Sequence, residues 1–259
     1  SSVAPAPRHV KGGRLTKAPR ASYTVPMSYS PPSLLSATEV ESRSFIQKVY
    51  AWMSLGLAVT GACALYMASD PRMIMALVQT KILFYGLMIA ELGLVIYLSG
   101  WVKTMDVGTA RFAFLFYSAL SGVTLSTIFL IYTRGSIAST FFLTAGMFGA
   151  MSIYGYTTKT DLTSMGNFMM MGLFGIILAT VVNMWVRSSA VEMATSYLGV
   201  LIFVGLTAYD TQKIKAMNVI GNAGTDEVTT EAISGALMLY LDFINLFLSL
   251  LRATGRRRD

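Results

Sequence analysis

Apolar residues in this chain are gathered into seven long runs that are separated by short polar joints. The runs cover, in order, residues 49–68, 81–99, 110–132, 136–156, 166–186, 195–212 and 233–251. A helix needs about 20 apolar residues to cross the hydrocarbon core of a bilayer. Each run is close to that length, and Pro, Gly, Asp and Ser stand in the joints. The pattern therefore predicts an all-α membrane protein, a bundle of seven transmembrane helices.

The predicted bundle is flanked by two basic tails. Residues 1–35 are rich in Pro, Ser and Arg, contain no Asp or Glu, and show no sustained apolar periodicity, so they are predicted to form a tail rather than a domain. Thr38 and Glu41 have the spacing of a capping box, which predicts that an interfacial helix begins there and leads into the first span. The membrane domain is then 36–252, and residues 253–259 form the second tail.

Composition strengthens the membrane assignment and excludes several kinds of chemistry. Of the 259 residues, 54% are hydrophobic and only 13% are charged, well below the roughly 25% of soluble domains. A single histidine, His9, and a single cysteine, Cys63, leave no set of residues for a zinc site or a Ser-His-Asp arrangement. No phosphate-binding loop or HExxH motif occurs. The chain is therefore predicted not to be an enzyme.

The charge of +7 is concentrated outside the apolar runs. Basic tails that flank spans meet anionic lipid or a protein partner more often than nucleic acid. With seven full crossings the two tails face opposite sides, so either the last run does not cross completely or one tail departs from the usual charge bias. An acid-free tail with Arg and Ser resembles the segment next to an organellar transit peptide, which favours the mitochondrial inner membrane. A bacterial inner membrane protein that starts at Met27 is the alternative.

Three carboxylates lie within the apolar runs. Glu91 is in the middle of the second run, Asp242 is in the middle of the seventh, and Asp210 is near the end of the sixth. An acidic residue at a helix centre costs about 2.5 to 3.5 kcal/mol on insertion scales, so it normally faces a protein interior or a water-filled cavity. Glu91 and Asp242 are interpreted as functional, although each could be a protonated, hydrogen-bonded packing residue. By position, Asp210 could equally be a solvated helix end, a turn from Lys213.

Two of these carboxyls close together would behave as a pH switch. Neighbouring carboxyls in a low-dielectric pocket cannot both ionise cheaply, so they share a proton. Deprotonated, their oxygens are hard ligands that suit Ca²⁺, but two or three carboxylates fall short of the six to eight oxygens of a tight site. A weak, pH-gated cation site is the resulting hypothesis.

The segments around these carboxylates resemble a known family. GVLIFVGLTAYDTQKIK (199–215) and ALMLYLDFINLFLSLLR (236–252) resemble the last two helices of the Bax inhibitor-1 family. SALSGVTLSTIF (118–129) and SIYGYTTKTDLTSMGNF (152–168) resemble its bacterial YccA-like branch, and the resemblance runs from about Ser44 to Arg252. It implies a seven-helix membrane fold with a pH-sensitive Ca²⁺ leak, in which an aspartate pair on the sixth and seventh helices senses protons and gates the path.

The resemblance assigns roles to particular residues. Asp210 of YDTQ and Asp242 of LYLDF take the places of the aspartate pair, and Glu91 resembles the family's second-helix glutamate. Bacterial relatives carry an arginine soon after that glutamate, proposed to latch onto the pair, whereas this chain reads SGWVKTMDVG. Lys103 is the nearest cation. Lysine lacks the planar fork of arginine, so a latch here would be weaker, remade or absent.

The sequence leads to two functional hypotheses, which belong to different classes of protein. The first is a pH-sensitive Ca²⁺ leak channel or cation/proton exchanger, with Asp210 and Asp242 as a weak Ca²⁺ site, Ca²⁺ as the transported ion and no tightly bound cofactor. The second is a non-conducting accessory subunit of a larger membrane complex, or a modulator of a membrane protease, that binds its partner through the N-terminal tail. Both place the chain in a lipid bilayer.

Overall fold

The computed structural model describes residues 32–217 and 225–258, which are almost entirely helical. Nine α-helices and one 3₁₀ turn are present in these two ranges. They are α1 (Pro32–Ser69), α2 (Pro71–Gln79), α3 (Lys81–Trp101), the 3₁₀ turn (Val102–Thr104), α4 (Val107–Leu125), α5 (Ile128–Ile131), α6 (Arg134–Thr157), α7 (Thr163–Val186), α8 (Ser189–Met217) and α9 (Asp226–Thr254).

Seven of the helical segments are long and apolar enough to cross a membrane, which confirms the predicted seven-helix fold. These spans are Glu41–Ser69, Lys81–Thr104, Val107–Ile131, Arg134–Thr157, Thr163–Val186, Ser189–Met217 and Asp226–Thr254. Each predicted run lies largely within one of them, and the observed helices extend further at most ends because polar residues continue a helix beyond the hydrocarbon. The chain is an integral membrane protein.

Helix starts differ from the prediction at two places. The chain is helical without interruption from Pro32 through the first span, so Thr38 lies inside α1 rather than at its start. After Ser69 the short helix α2 was not predicted. Asp70 caps it by accepting a 2.9 Å hydrogen bond from Arg72 N, and Pro71 fits the first helical position. Most of the predicted loop 221–226 and most of the tail 1–35 lie outside the described residues.

At two other joints, an aspartate at the start of a helix accepts a hydrogen bond from a backbone N–H group. Asp106 begins α4 by accepting a hydrogen bond from Thr109 N at 3.0 Å, and the hydrogen bonds with Thr109 hold the pKa of Asp106 below its ordinary value. Asp161 precedes α7 and accepts from Thr163 N at 2.9 Å, with the same consequence for its pKa. Carboxylates at helix starts are stabilised by the unpaired backbone N–H groups.

The spans cross alternately between two faces of the bundle. The first face carries the start of the first span, at Glu41, and the joints around Asp106 and Asp161; the second face carries those around Asp70 and Tyr132. The chain leaves α9 at the second face, where Arg258 N donates to Ile131 O at 2.8 Å. The seventh segment, Asp226–Thr254, is therefore long and apolar enough to cross, and it ends at the second face.

The C-terminal residues are packed onto the bundle rather than projecting as the tail predicted at 253–259. Helix α9 continues to Thr254, and Thr133 N then donates to Arg256 O at 3.1 Å. Arg257 pairs with Glu192 at 3.0 Å. These contacts fasten the last described residues to the starts of α6 and α8.

Helix α9 is the centre of the bundle. Ile233, Leu239, Tyr240 and Leu246 of α9 are fully buried, and α1, α4, α6 and α8 all pack around it. Helix α7 packs chiefly on α8, and α3 chiefly on α4, so both lie at the periphery and expose most of their apolar side chains. In a membrane protein this exposed apolar surface is the surface that meets lipid.

Two glycines set the closest helix crossings. Gly122 of α4 lies against the backbone of Thr60 in α1, and Gly155 of α6 lies against the backbone of Ala208 in α8; neither position leaves space for a Cβ. Small residues allow this close approach where lipid provides no hydrophobic drive for association. Gly149, which stands at the same helical spacing from Ala145 as Gly122 from Ser118, has no neighbouring helix within 4 Å.

Candidate functional site

The structure brings Asp210 and Asp242 together in the interior of the bundle. Asp210 projects from α8 and Asp242 from α9, the two helices with the most extensive packing, and their carboxyl groups lie close enough to influence each other electrostatically. Asp242 is only 5% exposed and Asp210 is partly buried. Oδ2 of Asp242 is buried without a hydrogen-bond partner among the described residues. An unpaired oxygen in such surroundings costs free energy, because it has lost its hydrogen bonds to water without gaining others.

Neighbours of Asp210 in the YDTQKIK segment hold α8 in place around the pair. The hydroxyl of Thr211 is buried and lies 3.4 Å from Tyr50 Oη of α1, and Ile214 is fully buried in the core. Lys213, one helical turn from Asp210, interacts electrostatically with its carboxylate and lies over the ring of Tyr209 at 5.9 Å. The pair is therefore fixed by helix packing, with one cation beside it.

Gln212 is a positioning residue that the sequence did not reveal. Its Oε1 accepts from Leu162 N at 2.9 Å, and its Nε2 donates to Thr160 O at 2.8 Å. Lys215 donates to Tyr156 O at 2.8 Å and lies 4.6 Å from the centre of its ring. Together these two side chains fasten the α6–α7 joint to α8, one turn from Asp210. Only the proximity of Gln212 to Asp210 in the sequence could have suggested this.

Glu91 does not join the aspartate pair. It is partly buried on α3 and accepts a short hydrogen bond from Ser121 of α4. Ser121 also lies against the hydroxyl of Tyr240, which shares a 2.8 Å hydrogen bond with Thr60 of α1. Thr60 in turn donates to Ser118 O at 2.8 Å. Glu91 thus ends a chain of polar groups that links α3, α4, α9 and α1.

Helix geometry separates these two polar groups. Tyr240 and Asp242 are two residues apart on α9, and two residues of an α-helix turn by about 200°. Tyr240 therefore faces α1 and α4, while Asp242 faces α8. We call Glu91, Ser121, Tyr240 and Thr60 the tyrosine cluster, and Asp210 with Asp242 the aspartate pair. They lie at similar depth on opposite sides of one helix.

Lys103 is not brought to the aspartate pair. It lies in the 3₁₀ turn at the first face, and its side chain is exposed. Within residues 32–217 and 225–258 it forms no ion pair with a carboxylate. The latch considered for Lys103 therefore has no support in this structure. Lys213, one helical turn from Asp210 on α8, is exposed and likewise forms no ion pair within the described ranges.

The donor set of the pair suits transient cation binding only. In the part of the chain that the structure describes, no group of three or more His, Cys, Asp or Glu side chains converges on one point. Two carboxylates provide fewer oxygens than a tight Ca²⁺ site needs. A cavity of about 450 Å³ opens at the first face. Its lining includes Tyr209, which precedes Asp210 in the chain, and Gln212 and Lys213, which follow it.

The fold and the pair together define a seven-helix integral membrane protein with a carboxylate pair enclosed at the centre of its bundle. The chain belongs to the Bax inhibitor-1 family: residues 42–259 match the family described as Inhibitor of apoptosis-promoting Bax1. This confirms the resemblance found in the sequence.

Curated relatives share most of their length with this chain. Inner membrane protein YbhL of Escherichia coli K12 is 51% identical over 217 residues, which cover 83% of this chain and 93% of that protein. A protein of Borreliella burgdorferi is 49% identical over 216 residues, with the same coverage. Protein RP147 of Rickettsia prowazekii is 47% identical over 220 residues, 84% of this chain and 91% of the relative. These bacterial relatives give no support to the predicted mitochondrial location.

Proposed function

We propose that this protein is a pH-gated pathway for Ca²⁺ leak across a bacterial inner membrane. The observation that carries the proposal is the aspartate pair, two carboxyls from different helices that interact inside the bundle while Asp242 Oδ2 has no partner among the described residues. The bacterial location rests on the similarity to a relative named as an inner membrane protein. That the protein is not an enzyme stays a prediction.

A shared proton would hold the pair closed. With one proton between them, Asp210 and Asp242 attract each other and join α8 to α9. Loss of that proton leaves two like charges at close range in a low-dielectric interior, where their repulsion is far stronger than in water. The repulsion is relieved when the helices separate or when a cation enters between the carboxylates. The pathway therefore opens as pH rises.

Lys213 adds a competing charge at the first face. It interacts with Asp210 from the same helix and lines the cavity of about 450 Å³ that opens there. A cation that enters by this route is repelled by the ammonium group of Lys213. Entry is therefore weak at rest, which fits a slow leak better than a high-conductance channel.

The proposal is tested by Ca²⁺ flux from proteoliposomes over a range of pH. We expect flux from the parent protein to rise with pH, and flux from Asp210→Asn/Asp242→Asn to be the same at every pH. A matched control is Asp70→Asn/Asp106→Asn, which changes two exposed aspartates at helix starts where asparagine caps equally well. It should retain the parent profile. Parallel profiles in the parent and the pair variant would refute the proposal.

Two further outcomes separate related functions. If Ca²⁺ flux requires an opposing proton gradient, the protein is a cation/proton exchanger built on the same pair. If the parent protein passes no Ca²⁺ at any pH, the accessory-subunit alternative is favoured. The tail to which that alternative assigned partner binding lies mostly outside the described residues.

A further inference from the structure

A cavity at the second face is lined by two arginines and lies far along the helices from the aspartate pair. Its volume is about 400 Å³, and it lies where α1 ends, α2 begins and α6 begins. Arg134 and Arg258 supply its charge, and Ala68, Ile74 and Phe129 are among its apolar lining residues. The spans end at this face, so the cavity lies at the depth of the lipid headgroups.

The two arginines have exposed side chains and no acidic partners among the described residues. Arg258 is placed by a backbone hydrogen bond from its N–H to Ile131 O at 2.8 Å, and its guanidinium donates to Phe129 O at 3.2 Å. Within residues 32–217 and 225–258, neither Arg134 nor Arg258 forms an ion pair. Asp70, which precedes α2 beside the cavity, caps that helix. Two like charges that face one cavity favour the binding of an anion between them.

A second, apolar cavity adjoins the first within the membrane. It has a volume of about 310 Å³, and Phe129 and Arg134 line both cavities. Its other walls come from α1, α6 and α9, with Phe243 and Phe247 of α9 at its base. Leu57 and Leu65, both lining residues, are eight residues apart, so the cavity runs along α1 for about 12 Å.

This apolar cavity is open to the surrounding lipid. Leu65 and Phe142 stand at its edges on α1 and α6 and are 61% and 73% exposed. A chain molecule can therefore enter from the side, between α1 and α6, without crossing the core of the bundle. Its polar end would then lie beside Arg134.

We propose that the two cavities form one binding site for an anionic phospholipid of the second-face leaflet. The phosphate would lie between Arg134 and Arg258, since a guanidinium matches phosphate with two parallel hydrogen bonds. One acyl chain would fill the apolar cavity between α1 and α6. A free phosphate would use the arginines alone, and an uncharged lipid would use the apolar cavity alone. Because Arg134 lines both cavities, one ligand can place its phosphate between the arginines and its acyl chain in the apolar cavity.

The charge requirement is tested on the purified full-length chain in detergent by native mass spectrometry. We expect phosphatidylglycerol to bind about tenfold more tightly than phosphatidylcholine with the same acyl chains. Arg134→Gln/Arg258→Gln should reduce phosphatidylglycerol binding to the phosphatidylcholine level. Lys81→Gln/Arg187→Gln is the matched control, because it removes two charges from the same face outside both cavities. Equal binding of the two lipids by the parent, or equal loss in the control, would overturn the proposal.

A milder variant covers the case in which the double glutamine variant does not fold. Arg134→Lys keeps the charge and loses the planar fork, so it should give phosphatidylglycerol affinity between those of the parent and the double variant. Parent-like affinity would refute the bidentate contact proposed between Arg134 and the phosphate. Folding of each variant is checked by its elution as a single species of parent size.

The acyl-chain requirement is tested by filling the apolar cavity. Gly61 lines it, and a Cβ at this position meets nothing within 4 Å, so a Gly61→Leu side chain has space to begin and extends into the cavity. It should weaken phosphatidylglycerol binding, whereas Gly86→Leu, an equally open position on α3, should not. The competing source is free phosphate. If inorganic phosphate displaces phosphatidylglycerol and Gly61→Leu has no effect, the arginines bind a free anion and the lipid site is refuted.

Discussion

The tyrosine cluster and the aspartate pair lie on opposite sides of α9 at similar depth, yet they differ in how their polar groups are satisfied. In the tyrosine cluster Tyr240 and Thr60 share a 2.8 Å hydrogen bond, and Glu91 accepts from Ser121. In the aspartate pair Asp242 Oδ2 is buried without a partner among the described residues. Both centres are polar groups in an apolar bundle, but only one of them is incomplete.

This difference separates a packing role from a functional role. A fully satisfied polar network stiffens the interior and fixes the register of the helices around it. A buried carboxylate oxygen without a partner costs free energy, which a proton or a cation can offset. In the proposed function, the tyrosine cluster therefore contributes to stability and the aspartate pair to the pH response. Substitutions that affect one centre at a time can break this division.

The largest effect on stability is expected from the two glycines at the closest helix crossings. Gly155→Ala would force α6 away from Ala208, two residues from Asp210, and Gly122→Ala would force α4 away from Thr60 of the tyrosine cluster. Overpacking of this kind typically lowers the free energy of unfolding by about 1 to 3 kcal/mol. Only Gly155→Ala should also change the dependence of Ca²⁺ flux on pH. Denaturant titration in mixed micelles measures the first effect, and proteoliposome flux measures the second.

Gly149→Ala is the control for both variants. Gly149 lies on α6, as Gly155 does, and a Cβ there meets no neighbouring helix within 4 Å. It should leave stability and flux close to those of the parent. If Gly122→Ala changed the pH profile as much as Gly155→Ala does, the two centres would not be separate.

A smaller effect is expected when one polar group is removed from each centre. Tyr240→Phe deletes the hydroxyl that bonds to Thr60, and loss of a buried hydrogen bond lowers the free energy of unfolding by about 1 kcal/mol. Asp242→Asn replaces an incompletely satisfied carboxyl with an amide of the same shape, so it should not destabilise the protein. The same titration in mixed micelles compares the two.

The two variants should differ in the pH dependence of their Ca²⁺ flux. Tyr240→Phe is expected to retain the pH dependence of the parent, and Asp242→Asn to lose it. A stable Tyr240→Phe variant without pH dependence would transfer the proton switch to the tyrosine cluster. A strongly destabilised Asp242→Asn variant would show that the pair is structural.

The sequence predicts the spans and the three intramembrane carboxylates because both leave strong local signals. Apolar length reports each crossing directly, and Glu91, Asp210 and Asp242 stand out because an acid is rare in such a run. That Asp210 and Asp242 are neighbours came from the family resemblance, since α8 and α9 are paired by tertiary packing. The apolar periodicity of the sequence does not predict that contact between α8 and α9.

Other parts of the site have no local signal. Thr60 and Tyr240 are residue types that a transmembrane helix tolerates without penalty, so their hydrogen bond across 180 positions is invisible in the sequence. Gln212 looks like any polar residue at a helix end, although it fastens the α6–α7 joint. The basic C-terminus resembles a solvated tail, yet its backbone pairs with residues more than 120 positions earlier.

The smallest effect is expected from Glu91→Gln. Glu91 is partly buried at the edge of the tyrosine cluster, and a glutamine keeps an oxygen that can accept from Ser121. Stability should therefore change by no more than about 0.5 kcal/mol, and the flux profile should match that of the parent. Glu91→Ala, which removes the acceptor, should lower stability without altering the profile. A shift of the profile in Glu91→Gln would mean that its carboxyl exchanges a proton during gating. The division between the two sides of α9 would then fail, because a group of the tyrosine cluster would belong to the proton switch.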